Sequence, residues 1–239
     1  MIPGGPTGAA LALLLGAFSS GTPAPQPVGI PADQGPGYAL RESADRHRLL
    51  ILWQGSEQVL GECQDRLLQR SQRRGLEVSV IERNCGATVD YATQVIVRGR
   101  NFEEPVAVLQ GRPQIRVGWN GRRLQIVHSP LPREHVFRQL SRIAGIGISH
   151  VELGPAATPT ARSTLEDSSR NYGAHGRALG LPDELLLRWA GWAQQASGLY
   201  RGDWGQWQGA APYGDDPSGR QKIIEGMQYH AEYSDTPGG

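Results

Sequence analysis

Few side chains in this sequence are spaced to do chemistry. The two cysteines, Cys63 and Cys85, stand at a spacing that fits no zinc site, and no Cys-x-x-Cys occurs. The six histidines, His47, His128, His135, His150, His175 and His230, are scattered, with no pair one helical turn apart. Gly55-Ser56 follows an apolar run as a nucleophile elbow does, yet Gln54-Gly55-Ser56-Glu57 does not complete Gly-x-Ser-x-Gly. Neither a phosphate loop nor a dinucleotide fingerprint occurs, so no cofactor is expected. Asp203, Asp215 and Asp216 lack the Asp-x-Asp-x-Asp-Gly order of a calcium loop, so no metal is expected either. Aromatic residues are the denser feature: Trp189, Trp192, Tyr200, Trp204, Trp207 and Tyr213 fall in one stretch. Trp and Tyr supply large contact area at low entropy cost, so one reading is a surface for a carbohydrate or protein ligand. The other reading has the helix tryptophans dock the C-terminal part onto a β core.

Composition narrows the classes. The chain has 239 residues and a net charge of +1, so no overall field draws in nucleic acid or an anionic membrane. Lys222 is the only lysine. An arginine bias suits phosphate or carboxylate recognition, and it also follows from GC-rich coding. Gly (32) and Pro (17) are abundant while apolar residues reach only 38%, which implies irregular stretches around a smaller core. Residues 9–18 form an apolar run that is too short for a transmembrane span, which needs about 20 residues. The run has the length of a signal-peptide core and small residues after it, but no Lys or Arg before it. Residues 1–22 are read as a signal peptide, which places the protein outside the cytoplasm, periplasmic or secreted. A cytoplasmic location is the alternative.

The elements that position these residues follow from periodicity. Residues 23–44 read as a Pro/Gly-rich linker, and 45–153 as a β-rich domain. Within it, 48–53 is a continuous apolar run and 92–98 a β-branched one, both strand signals. Residues 56–74 are ambiguous. Leu60, Cys63 and Leu67 have helical spacing, which makes 48–81 a βαβ unit and places an enzyme site near residues 54–57. Alternatively, 66–72 is a strand that turns at Arg73-Arg74-Gly75 into the alternating run 76–83. Periodicity alone slightly favours the helix. Asn120-Gly121 marks a two-residue hairpin pairing Val117 with Leu124 and Ile115 with Ile126. Val136, Phe137, Leu140 and Ile143 have the spacing of a short amphipathic helix over 133–144, and 147–153 reads as a closing strand. Residues 154–180 read as a linker. A helical, Trp-rich extension spans 181–233, with helices over 182–196 and 219–229, and 234–239 form a disordered tail.

Asn84-Cys85-Gly86-Ala87-Thr88, followed by Tyr91-Ala92-Thr93-Gln94-Val95, resembles a family of small, often exported bacterial proteins with no assigned activity. Their pattern is Asp/Asn-Cys-Gly-Ala-Thr-Thr, an aromatic, a small residue, Thr, any residue and Val. Cys63 matches an earlier cysteine of the pattern, and Val117-Gly118-Trp119 with Leu124-Gln125-Ile126 matches a later strand pair. Gln64-Asp65 replaces the family's Gly-Asn, Gln72-Arg73-Arg74-Gly75 replaces its Ser-Pro-Asp-Gly, and Val89 stands for its second Thr. The likeness covers about residues 60–130 and supplies no catalytic residue. It tips 56–74 toward the hairpin. In an exported protein, Cys63 and Cys85 are most simply a disulfide. On the hairpin reading they lie about equally far from the turn, close enough to bridge, whereas mid-helix placement of Cys63 sets them apart.

The fold expected is therefore α+β, a mainly antiparallel β domain with a short helical C-terminal extension; α/β with a βαβ unit at 48–81 is the alternative. The function expected is that of a non-catalytic exported structural or binding protein. The alternatives are an enzyme of unknown class on the βαβ fold, or a cytosolic protein-interaction partner.

Overall fold

A computed structural model describes residues 37–53, 55–154 and 162–234, by backbone alone at 162–167 and 232–234. Residues 1–36 and 235–239, and with them the signal-peptide and tail expectations, lie outside the described residues. The architecture is α+β, mainly antiparallel.

Strands β1 (Tyr38–Glu42), β2 (Arg48–Trp53) and β3 (Ser56–Glu62) form a small antiparallel sheet. β1 occupies ground expected to be linker. Its Tyr38 and Leu40 alternate inward and are buried with Leu49 and Ile51 of β2. β4 (Gln64–Arg73), β5 (Leu76–Asn84), β6 (Ala92–Arg98), β7 (Glu103–Gln110) and β10 (Val136–Gln139) form the central antiparallel sheet, in the order β10-β7-β6-β5-β4. β8 (Ile115–Asn120), β9 (Arg123–His128), β11 (Arg142–Ile143) and β12 (Ile146–Glu152) form a third sheet, in which β12 runs parallel to β9.

Residues 56–74 form two strands, β3 and β4, so the βαβ unit expected over 48–81 does not form. Glu57, placed in an enzyme site by the helical reading, is bound instead by Arg41 across the small sheet. Cys63 sits between β3 and β4, and Cys85 just past β5. The two form a disulfide with Cα atoms 4.0 Å apart across a sequence separation of 22. Alternation explains the hairpin: Val78 and Val80 on β5 are fully buried, while the edge strand β4 leaves Leu67 and Leu68 exposed.

The second hairpin has its turn one position along. Gly121, at φ 59°, and Arg122 are the two loop residues, so Trp119 faces Leu124, Val117 faces Ile126 and Ile115 faces His128. Among the described non-glycine residues Arg122 shows no positive φ. The turn therefore has Gly at its first central position, the type II′ arrangement, and not the Asn-Gly type I′ turn expected from sequence. The slip is even in register, so Val117, Leu124 and Ile126 keep one inward face.

The spacing of Val136, Phe137, Leu140 and Ile143 does not produce a helix. A single 3-10 turn, Arg133–His135, leads into β10, which pairs with the otherwise free edge of β7, and Leu140 continues that pairing by donating its N–H to the Val106 carbonyl. An available sheet edge outweighs local propensity here.

The central sheet is covered on both faces. On one, Val78, Val80, Val95, Val97 and Val106 pack against Val117, Leu124, Ile126 and Ile148 of the third sheet. Gln69 stitches the two sheets, its side-chain amide exchanging hydrogen bonds with the Val117 N–H (3.0 Å) and carbonyl (2.9 Å). On the other face lies a helical layer of α1 (Arg162–Ala178), α2 (Asp183–Ser197) and α3 (Pro217–Ser234), of which α2 packs on the β core and α1 and α3 pack behind it. α1 stands where a linker was expected. Pro182 caps α2 from just outside it instead of occupying its first turn. α2 buries two faces: Leu185, Trp192, Ala193 and Ala196 meet the β core, and Leu186 and Ala190 meet Ile223 and Met227 of α3. Its C-terminal carbonyls are bound by the sheet, Ala196 by Arg83 (3.0 Å) and Ser197 by Gln94 (2.7 Å). A guanidinium at that negative helix end is favourable. Gly61 on β3 makes room for the indoles of Trp189 and Trp192, since a Cβ there would come within 2.5 Å of Trp189 Nε1. No helix among the described residues is long and apolar enough to cross a membrane.

Candidate functional site

The motif segment after β5 is a loop with a fixed shape. Asn84 Oδ1 accepts the Gly86 N–H at 3.1 Å, and Asn84 Nδ2 donates to the Tyr91 hydroxyl at 3.3 Å. Cys85 is tied to Cys63, and the Arg112 guanidinium lies 3.5 Å from the centroid of the Tyr91 ring. With both ends held, the loop presents Thr88 and Asp90 as one wall of a cleft of about 230 Å³.

The facing wall comes from the 3-10 turn and β10, which contribute Glu134, His135 and Phe137. Arg201 and Trp204, just after α2, form the side. Phe137 and Trp204 meet edge to face with ring centroids 6.2 Å apart, and Tyr200 braces Trp204 at 6.5 Å. The Arg201 guanidinium lies 4.9 Å over Phe137 while donating to the Glu134 carbonyl at 2.8 Å. Guanidinium and ring therefore share one platform.

The floor is the start of α3 and the flank of α1. Asp216 Oδ1 caps α3, accepting the N–H groups of Ser218 (2.8 Å) and Gly219 (3.1 Å). Ser169 of α1 also lines the cleft; its hydroxyl is buried and has no hydrogen-bond partner among the described residues. Behind the floor, Asp215 is fully buried. Burial is the main reason its pKa rises to about 8, the Asp216 N–H and Arg220 offsetting it only in part.

The cleft therefore offers carboxylates from Asp90, Glu134 and Asp216, one guanidinium, one imidazole and an aromatic wall. Such a set can grip hydroxyl or amine groups while a ring face lies on Phe137 or Trp204. No hydrogen bond among the described residues joins His135 to a serine or a carboxylate. No group of three or more His, Cys, Asp or Glu among them could hold a metal ion.

Of the six aromatic residues marked from sequence, the structure brings only Trp204 to this cleft. Trp192 and Trp207 are core residues, at 0% and 2% exposure, so they dock the helical layer and present no surface. Trp189 packs against that core and meets Tyr172 at 5.4 Å. Tyr213 lies under Arg188, 4.3 Å from its guanidinium. Arg188 is itself buried, paired with Glu184 and bonded to the carbonyls of Trp207 (2.7 Å) and Gly209 (2.9 Å). One arginine thus orders the irregular Gly/Trp-rich segment after α2. Glu134, His135, Arg201 and Ser169 escaped the sequence reading because they come from three separate segments. The Asn-Cys-Gly-Ala-Thr stretch was the one signal near them.

A second polar cluster lies at the disulfide. Arg83 grips both Asp65 oxygens at 2.7 Å, and His47 Nε2 stands 3.0 Å from Asp65 and 2.9 Å from Arg83. Burial raises the Asp65 pKa, but the bonds to Arg83 and His47 outweigh it and hold the carboxylate below its ordinary value. This cluster ties β4, β5, the β1–β2 turn and the end of α2 together.

No family model, no curated protein and no solved structure matches the chain.

Proposed function

We propose that this is a non-catalytic, exported binding protein that takes one hydroxyl-rich, sugar-sized group in the cleft beside the Asn84–Tyr91 loop. The observation that carries the reading is the meeting of Asp90, Glu134 and Arg201 with the Phe137–Trp204 wall in about 230 Å³. Drug-sized sites run to roughly 300–1,000 Å³, so this one suits a single ring. Carbohydrate rings present hydroxyls at their edge and an apolar face, which matches carboxylates and a guanidinium flanking an aromatic wall. Export rests on the Cys63–Cys85 disulfide, since disulfides persist in oxidising compartments and are rare in the cytosol.

Titration with a panel of neutral and amino sugars, followed by tryptophan fluorescence, tests the reading. At least one sugar should bind, and Glu134→Gln or Arg201→Ala should weaken it by about tenfold, the loss expected for one charged hydrogen bond. The Glu134 residue is exposed, so its substitution leaves the fold intact. A panel without binders, or variants that bind like the parent, would overturn the assignment.

A further inference from the structure

Four turns of the β body meet at the end opposite the disulfide: 74–75 between β4 and β5, 99–102 between β6 and β7, 121–122 between β8 and β9, and 144–145 between β11 and β12. Two hollows join them. One, of about 650 Å³, runs from Arg73 and Arg74 to Arg98 and Arg100. The other, of about 260 Å³, runs from the same pair across Trp119 to Arg122 and Ile146.

This end is basic. Arg74, Arg100, Arg122, Arg123 and Arg142 are exposed, and none has a carboxylate partner among the described residues. Arg98 is the member that does, bound to Glu77 and Glu103. Arg73 spreads over the half-buried Trp119, 5.9 Å from its ring. The whole chain carries only +1, so the rest of the molecule is net acidic and the charge is polarised toward the turns. An overall net charge near neutral conceals this local field.

Arg74 supplies an independent observation. Its φ is 53°, the left-handed region that Gly and Asn occupy at lower cost. The turn itself would be better served by Asn, so what arginine brings is its charge. Stacked sheets stand about 10 Å apart, so tips on two sheets form a patch and not the stripe that tracks a polymer. We propose that this arginine-tipped end docks on an anionic membrane surface. The guanidinium groups pair with lipid phosphates, which match their fork geometry, above a floor of Trp119, Leu76 and Ile146.

Co-sedimentation of the full chain with phosphatidylglycerol vesicles tests this. Binding should be absent with phosphatidylcholine vesicles and fall steeply with added salt. The variant R74N/R100Q/R122Q should bind about a hundredfold more weakly, each arginine near an anionic surface being worth roughly fivefold. Arg74→Asn alone should weaken vesicle binding while raising the thermal midpoint, a pairing that a purely structural role cannot produce. Insertion of the apolar run at 9–18 would be indifferent to lipid charge and to these substitutions. An R46Q/R48Q/R177Q variant should bind like the parent. The proposal is overturned by equal binding to both lipids, by equal loss in the two triple variants, or by retention on duplex DNA or inositol hexakisphosphate without vesicle binding.

Discussion

Asp215 illustrates how a single buried group links the cleft floor to pH. Burial raises its pKa from 3.8 to about 8, and its Oδ2 has no hydrogen-bond partner among the described residues. A carboxyl whose folded pKa exceeds its unfolded one adds stability that is fully present below the unfolded value, and that stability is lost as pH rises through the folded value. The window is therefore about pH 4 to 8, with a slope of at most about 1.4 kcal/mol per pH unit. Asp215→Asn cannot ionise, so its advantage over the parent in urea unfolding should grow from pH 5 to pH 8. Parallel pH dependences for the two proteins would show that Asp215 ionises freely in the folded state.

At the scale of elements, the β4–β5 hairpin is held by the disulfide at its open end. Closing a loop with a sequence separation of 22 contributes about 3 kcal/mol on the chain-entropy model. Cys63→Ala/Cys85→Ala should lose about that much in denaturant unfolding, and reduction of the parent protein should match it. An unchanged midpoint would mean that the Arg83–Asp65–His47 cluster alone fixes this end. The hairpin was legible because Leu76, Val78 and Val80 alternate. The competing helical spacing of Leu60, Cys63 and Leu67 was an accident of sequence: Leu60 faces the helical layer, Cys63 is bridged, and Leu67 is half exposed on an edge. α1 was not legible at all. It carries no apolar stripe and is held by close backbone approach to α3, Gly173 lying against the Ile223 carbonyl. The helix expected over 133–144 failed for the opposite reason: its stripe is real, but β7 offered an unpaired edge.

At the scale of the molecule, α2 is the shared wall between the sheets and the α1–α3 pair, and the cleft lies where these layers and the bridged loop converge. The composition of the Trp-rich stretch announced either docking or binding. Three tryptophans went into docking, and Trp204 alone reached the cleft, a partition that depends on Arg188 and the loop it orders, which no local pattern encodes. The most direct test of the central claim is hydrogen–deuterium exchange of the full chain with and without the tightest-binding sugar of the panel. The account predicts new protection confined to three backbone segments, 86–91, 134–137 and 199–204. Protection confined to the turns at 74–75 and 121–122, or to the edge strand β4, would contradict it.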